Sequence, residues 1–220
     1  MKALECDGTR DGERDPSSPT VAVALRALQA EFRQNLDELR SVHRIHQVYS
    51  TELEQLLTLM SSTPDGGAVQ VPDSLLRPLV SFRTADPAMG TLNTLLASGR
   101  IGLIQNQGLQ RALAGWPAVV EDVAEDESLI RDFVHEQLMA GLVEEVDVGR
   151  VLAALGSLAS SGRAERTLDA SELPLRVTPR SRALVGQRHH LARILVSQSQ
   201  GRLDAGDSIL ALIDRDLAGR

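Results

Sequence analysis

His43 and His46 stand one helical turn apart, Glu52 and Glu54 follow within two to three turns, and His189-His190 recur toward the other end of the chain. Imidazoles and carboxylates at helical spacing are the material of a metal site. One reading therefore makes His43, His46, His189 and His190 converge on a metal ion or small ligand between helices. A di-metal site in a bundle asks for two Glu-x-x-His motifs and two further inward carboxylates. No Glu-x-x-His occurs, and the nearest approach, Asp132-x-x-His135, stands alone. The residues favour a plainer assignment, in which His46 is a polar member of a helical seam and His43 sits at its rim. No metal ligand and no cofactor is expected.

Other chemistries find less support. The lone Cys6 lies in a polar stretch and excludes an intramolecular disulfide. There is no Gly-x-Ser-x-Gly elbow to raise a nucleophilic serine. Ser98-Gly99 and Gly108 lack the Gly-Lys-Ser/Thr that ends a phosphate loop, so Gly99 reads as the positive-φ residue of a turn. No catalytic residue is assigned, and the expectation is a protein that is not an enzyme.

Arg176, Arg180, Arg182, Arg188 and Arg193 flank the histidine pair with no acid between the first and the last. Such a helix could hold phosphate or nucleic acid. The stretch 121–147 answers it with ten carboxylates and a single Arg131. The net charge of −7 disfavours polyanions, and no aromatic platform accompanies the arginines. Charge pairing within the chain or between subunits is the expected use, without nucleic acid.

The elements that must position these side chains are helices. Of 220 residues, 42% are apolar but only 2% aromatic: Phe32, Phe82, Phe133, Tyr49 and Trp116. A core of Leu, Val, Ile and Ala with so few rings suits helix-on-helix packing, so the fold class is all-α, a mostly antiparallel bundle. No apolar run reaches the roughly 18 residues a membrane span needs. Residues 1–19 are too polar for a secretory signal and read as a disordered tail, with a single bundle domain over 20–220. The chain reads as soluble, and its compartment stays open.

Thr20 is placed to cap a helix that runs from Val21 to about Ser62 without Gly or Pro. Leu25, Phe32, Leu39, His46, Leu53 and Met60 fall seven apart, interleaved with Leu28, Asn35, Val42, Tyr49 and Leu56. This is a seam of five heptads, interrupted at Asn35 and His46, and polar residues there fix register. At 1.5 Å per residue it is about 60 Å long. Its far end is expected to project, leaving Leu25, Leu28 and Phe32 for a partner or a second subunit. Pro64-Asp65-Gly66-Gly67 stops it, and Pro72 to Phe82 allows a turn or two before Pro78 interferes.

The most apolar stretch is 89–116, which reads helix, turn, helix. Asp86 and Pro87 are the expected cap and first position, Ser98-Gly99 the stop, and Asn106 the next start. Ile101, Leu103 and Ile104 should bury the connector. Gly115 and Pro117 predict a kink near Trp116, whose ring should anchor the core with its N–H on a carbonyl. A helix from Val148 to Leu158 and a polar linker follow. A final helix starts at Thr178-Pro179, weakened at Gly186, Gly201 and Gly206.

Glu31-Phe32-Arg33-Gln34-Asn35 with Leu39, and then Thr91 to Trp116 with Ser98-Gly99, Leu103-Ile104, Asn106, Leu109 and Leu113, resemble a family of uncharacterised bacterial proteins. Those proteins usually carry an N-terminal membrane helix with a helical domain behind it. The acidic run from Glu121 to Glu127 resembles the one that follows in the family. The resemblance implies a helical domain of unassigned role and membrane association only through a segment not in this chain. It brings no catalytic residues. Together these readings predict a noncatalytic helical interaction or sensor-like domain, acting on a protein partner or on itself through the seam. Asn35, His46, Ser98, Gly99, Asn106 and Trp116 would be its structural and interaction residues. The alternative is the small-ligand or metal-binding bundle of the four histidines.

Overall fold

The structure is a computed structural model that describes residues 19–152 and 172–219. The proposed tail lies outside the described residues. So does the end of the helix expected over 148–158, of which 148–152 are helical.

Two long helices form the frame. α1 (Pro19–Ser61) and α6 (Pro179–Ala218) run antiparallel, since Arg33 meets Asp214, Arg40 meets Asp207 and His43 meets Ser199. α1 begins at Pro19, ahead of the expected Thr20 cap. Every seam position of α1 is buried, His46 and Asn35 included. Leu25, Leu28 and Phe32 are at most 1% exposed, covered within the chain by Leu92, Leu113, Trp116, Ile209 and Ile213. The expected projecting end is thereby corrected, because α6 is nearly as long as α1 and reaches its start. α6 opens with the anticipated proline start and a capping box between Thr178 and Ser181.

Between them the chain makes β1 (Ala68–Pro72), α2 (Asp73–Val80), an irregular segment at 81–89, α3 (Gly90–Ala97), a 3-10 turn (Arg100–Leu103) and α4 (Gln107–Asp132). α4 remains helical through Gly115 and Pro117, where a kink was expected. The departure from α geometry comes later, in a π-helical turn at Phe133–Leu138 that leads into α5 (Met139–Leu142). α2 also continues through Pro78, whose missing N–H would have faced the exposed Ser74. In the connector, Ile104 is buried while Ile101 and Leu103 are only partly so.

The stretch expected to be a polar linker contains β2 (Glu172–Arg176), which pairs antiparallel with β1 from Ala68↔Arg176 to Pro72↔Glu172. Leu173 and Leu175 face inward beside Val71. The fold class is all-α apart from this two-stranded ladder. No helix among the described residues is long and apolar enough to cross a membrane.

The core divides into two apolar clusters. One joins Val21 to Val42 of α1 with α3, the start of α4 and the end of α6. The other joins Leu53 to Met60 of α1 with α2, the π turn, both strands and the start of α6. Between them, at the level of His43 to Tyr49, lies a layer of buried polar side chains.

Candidate functional site: a clasped segment in a polar layer

Pro87 disfavours helix at Asp86, and residues 81–89 form neither helix nor strand and have no backbone ladder of their own. The carbonyls that turn toward the protein here still need donors. Side chains supply them from both long helices. Arg188 donates to the Ser81 carbonyl at 2.9 Å, His46 Nε2 to that of Arg83 at 2.8 Å, and Arg202 to that of Ala85 at 3.4 Å. The Ala85 N–H in turn donates to Glu127, which Arg202 meets at 3.2 Å. Asn35 completes the set by holding both polar groups of Ala88, donating to its carbonyl at 2.8 Å and accepting from its N–H at 2.9 Å.

The clasp explains where α3 starts. Asp86 and Pro87 do not cap it, because Asn35 holds both backbone polar groups of Ala88 and the helix begins only at Gly90. No local side chain caps it either. Glu31 reaches across from α1 and accepts from the Thr91 and Leu92 N–H groups at 2.7 and 3.3 Å. In Glu31-Phe32-x-x-Asn35, then, the acid caps α3, the ring packs on Trp116 with centroids 5.2 Å apart, and the amide clasps the segment.

Ser98, Gly99, Asn106 and Trp116 hold the fold in ways that can be named. Ser98 donates back to the Thr94 carbonyl at 2.7 Å, and Gly99 ends α3 with φ 68°. Asn106 caps α4 by accepting from the Leu109 N–H at 3.1 Å. Trp116 is buried at 1% exposure, but its indole N–H has no partner among the described residues, contrary to the expected carbonyl. Its ring instead lies beside Gly206, where a methyl group would collide with Leu36.

The four histidines do not converge. His43 Nδ1 meets Ser199 Oγ at 2.7 Å, and since that hydroxyl donates to the Leu195 carbonyl, the ring must be the donor. His46 must carry its proton on Nε2, because the Arg83 carbonyl can only accept. This leaves its buried Nδ1 lone pair without a donor. His189 is half-buried near Glu54, and His190 is exposed. Among the described residues no three His, Cys, Asp or Glu are placed to hold a metal ion.

Burial sets the electrostatics. Desolvation lowers the affinity of His46 for a second proton, and the positive Arg188 and Arg202 lower it further, against the Arg83 carbonyl, which raises it. Desolvation also lowers His43, opposed by Asp204. Burial pushes the Glu127 carboxyl up and the Arg202 guanidinium down, each against the attraction between them. Arg188 is pushed down to about 10, still a cation at neutral pH. It is 1% exposed, no carboxylate faces it, and its Nε and Nη1 have no partner among the described residues.

Glu127, Arg188, Ser199 and Arg202 are the members of this layer that were not expected from the sequence. A signal existed. Glu127 falls between Val123 and Ile130 on the buried stripe of α4, and Arg188, Ser199 and Arg202 fall on that of α6. The expected pairing of the acidic stretch with Arg176–Arg193 is realised otherwise. Glu127 meets Arg202 beyond that run, Arg182 bonds the Thr63 carbonyl and Asp65, and Glu145 accepts from Thr178.

Comparison of the chain with protein-family models, with curated proteins and with solved structures returns no match.

Proposed function

We propose that the chain is a noncatalytic, sensor-like helical domain whose responsive element is the clasped segment 81–89. The observation that carries this reading is the way the segment is held. Its backbone is bonded by side chains from α1, α4 and α6, within a layer where His46 Nδ1 and two Arg188 nitrogens keep unmet hydrogen-bonding capacity. Unmet buried polar groups raise the free energy of the closed arrangement by about 1–3 kcal/mol each, which narrows the gap to an open one. A released segment would uncover polar and apolar surface together, the form of an order-to-disorder switch. The apolar seam of α1 is covered within the chain, so a protein partner would meet the outer face instead. Val23, Val48, Leu129 and Val143 are exposed there.

Hydrogen exchange tests the reading. The Ala88 amide is expected to exchange by local opening, at a rate that responds little to denaturant, while the α1 and α6 core amides wait for global unfolding. Exchange of both at one common, denaturant-dependent rate would sink it.

A further inference from the structure

On the outer side of the polar layer, α1, α2 and the clasped segment border an open groove of about 300 Å³. Three arginines line it, one from each element: Arg44, Arg77 and Arg83. Arg77 pairs with Glu52 at 2.8 Å and lies over the Tyr49 ring at 5.5 Å. Arg44 and Arg83 are exposed and have no ion pair or hydrogen bond from their guanidinium groups among the described residues. Asp86, three residues beyond Arg83, pairs with neither. Ile45, Val48 and Tyr49 supply the apolar wall. Arg188, buried in the adjoining layer and electrostatically coupled to the Tyr49 hydroxyl, is matched by no carboxylate among the described residues.

In a chain of net charge −7 this concentration of unpaired guanidinium groups is local and concave. Arginine forks recognise carboxylate and phosphate oxygens in bidentate fashion. The volume sits at the lower end of the range for small-ligand sites, and the acidic remainder of the molecule repels extended polyanions. We infer that the groove binds a small organic oxyanion, a carboxylate or phosphate monoester, with its charge on Arg44 and Arg83 and its apolar body on Ile45, Val48 and Tyr49. The inference rests on the switch reading above, because Arg83 belongs to the clasped segment: its side chain lines the groove while its carbonyl is held by His46. The ligand closes the segment by joining Arg83 to Arg44 on α1.

The experiment is calorimetric titration of the full chain with phenyl phosphate, benzoate, inorganic phosphate and benzylamine, followed by hydrogen exchange with and without the tightest. The two aromatic anions distinguish a phosphate from a carboxylate ligand. Both are expected to saturate, inorganic phosphate to bind more weakly, and benzylamine not to bind. Arg83→Gln and Arg44→Gln, both at exposed side chains, should each weaken the tighter anion at least about tenfold, and Arg111→Gln on α4 should not. Absence of saturation by any anion at about 10 mM overturns the site, as does equal affinity in Arg83→Gln and the unaltered chain. Anion binding with unchanged exchange at Ala88 keeps the site and overturns the switch. An opening segment with no anion binding does the reverse.

Discussion

Two non-helical regions of this molecule solve the same problem differently. β1 and β2 satisfy their backbones on each other, N–H to carbonyl, from Ala68↔Arg176 to Pro72↔Glu172. Residues 81–89 have no strand beside them and depend on Asn35, His46, Glu127, Arg188 and Arg202. A ladder is indifferent to most outward side chains, since its bonds belong to the backbone of any sequence. A side-chain clasp is not, because each bond depends on one residue type in one rotamer. The ladder stabilises, whereas the clasp stabilises in a way that charge, pH or a ligand can undo.

The contrast is broken most forcefully at Arg202. Arg202→Met leaves Glu127 buried without its partner and should lower unfolding free energy by about 3–5 kcal/mol in urea titration. Adding Glu127→Leu should recover most of that loss. Failure of the double substitution to recover stability would mean that Ala85 needs these groups more than they need each other. Asn35→Ala removes both bonds to Ala88 and should cost about 2 kcal/mol. Its distinguishing signature is faster exchange at Ala88 with the β1–β2 amides unaffected.

A smaller effect comes from pH. His46 has its folded-state pKa depressed, so the unfolded chain takes up the proton first as pH falls. Its contribution is complete above the unfolded value near 6.5 and declines as pH drops toward the folded value, by at most about 1.4 kcal/mol per pH unit. Glu52 and Glu127 are raised, so they act with the opposite sign, favouring the folded state as pH falls toward the carboxylate range. The difference in stability between the unaltered chain and His46→Asn isolates the histidine. It should shrink from pH 7 to pH 5.5, and a constant difference would show that His46 does not titrate. The smallest effect belongs to the ladder, where Gln70→Ala at an exposed position should change stability by no more than about 0.5 kcal/mol.

The heptad of α1 was legible because eleven seam positions repeat without a break, and Asn35 and His46 stood out as the polar exceptions. Both proved to hold the segment. The same ruler laid on α6 runs Ser181, Val185, Arg188, Ala192, Leu195, Ser199, Arg202, Gly206, Ile209, Ile213, and would have marked the two buried arginines. It was obscured because arginines and glycines read as exposed or helix-weakening residues. Gly206, expected to weaken the helix, is where α6 comes close to Leu36 and Trp116. The clasped segment itself was not legible. Its conformation is fixed by groups far away in the chain, and nothing local distinguishes it from the lead-in to a helix. The β1–β2 ladder was missed for a related reason: two five-residue strands with prolines carry little period-two signal, and their pairing spans nearly half of the sequence.

The pairing of α1 with α6 bears on how the chain is made. His43 and its partner Ser199 are 156 residues apart, and contacts of that range fill the central seam of the bundle. Helical proteins fold fast when their contacts are local, and here the frame is not. At a synthesis rate of about 5–20 residues per second, the apolar stripe of α1 waits on the order of ten seconds before α6, the longest helix that packs along it, exists. During that interval the nascent chain shows a five-heptad stripe that only α2 to α5 can cover in part, a surface suited to chaperones or to the same stripe on a neighbouring ribosome's product.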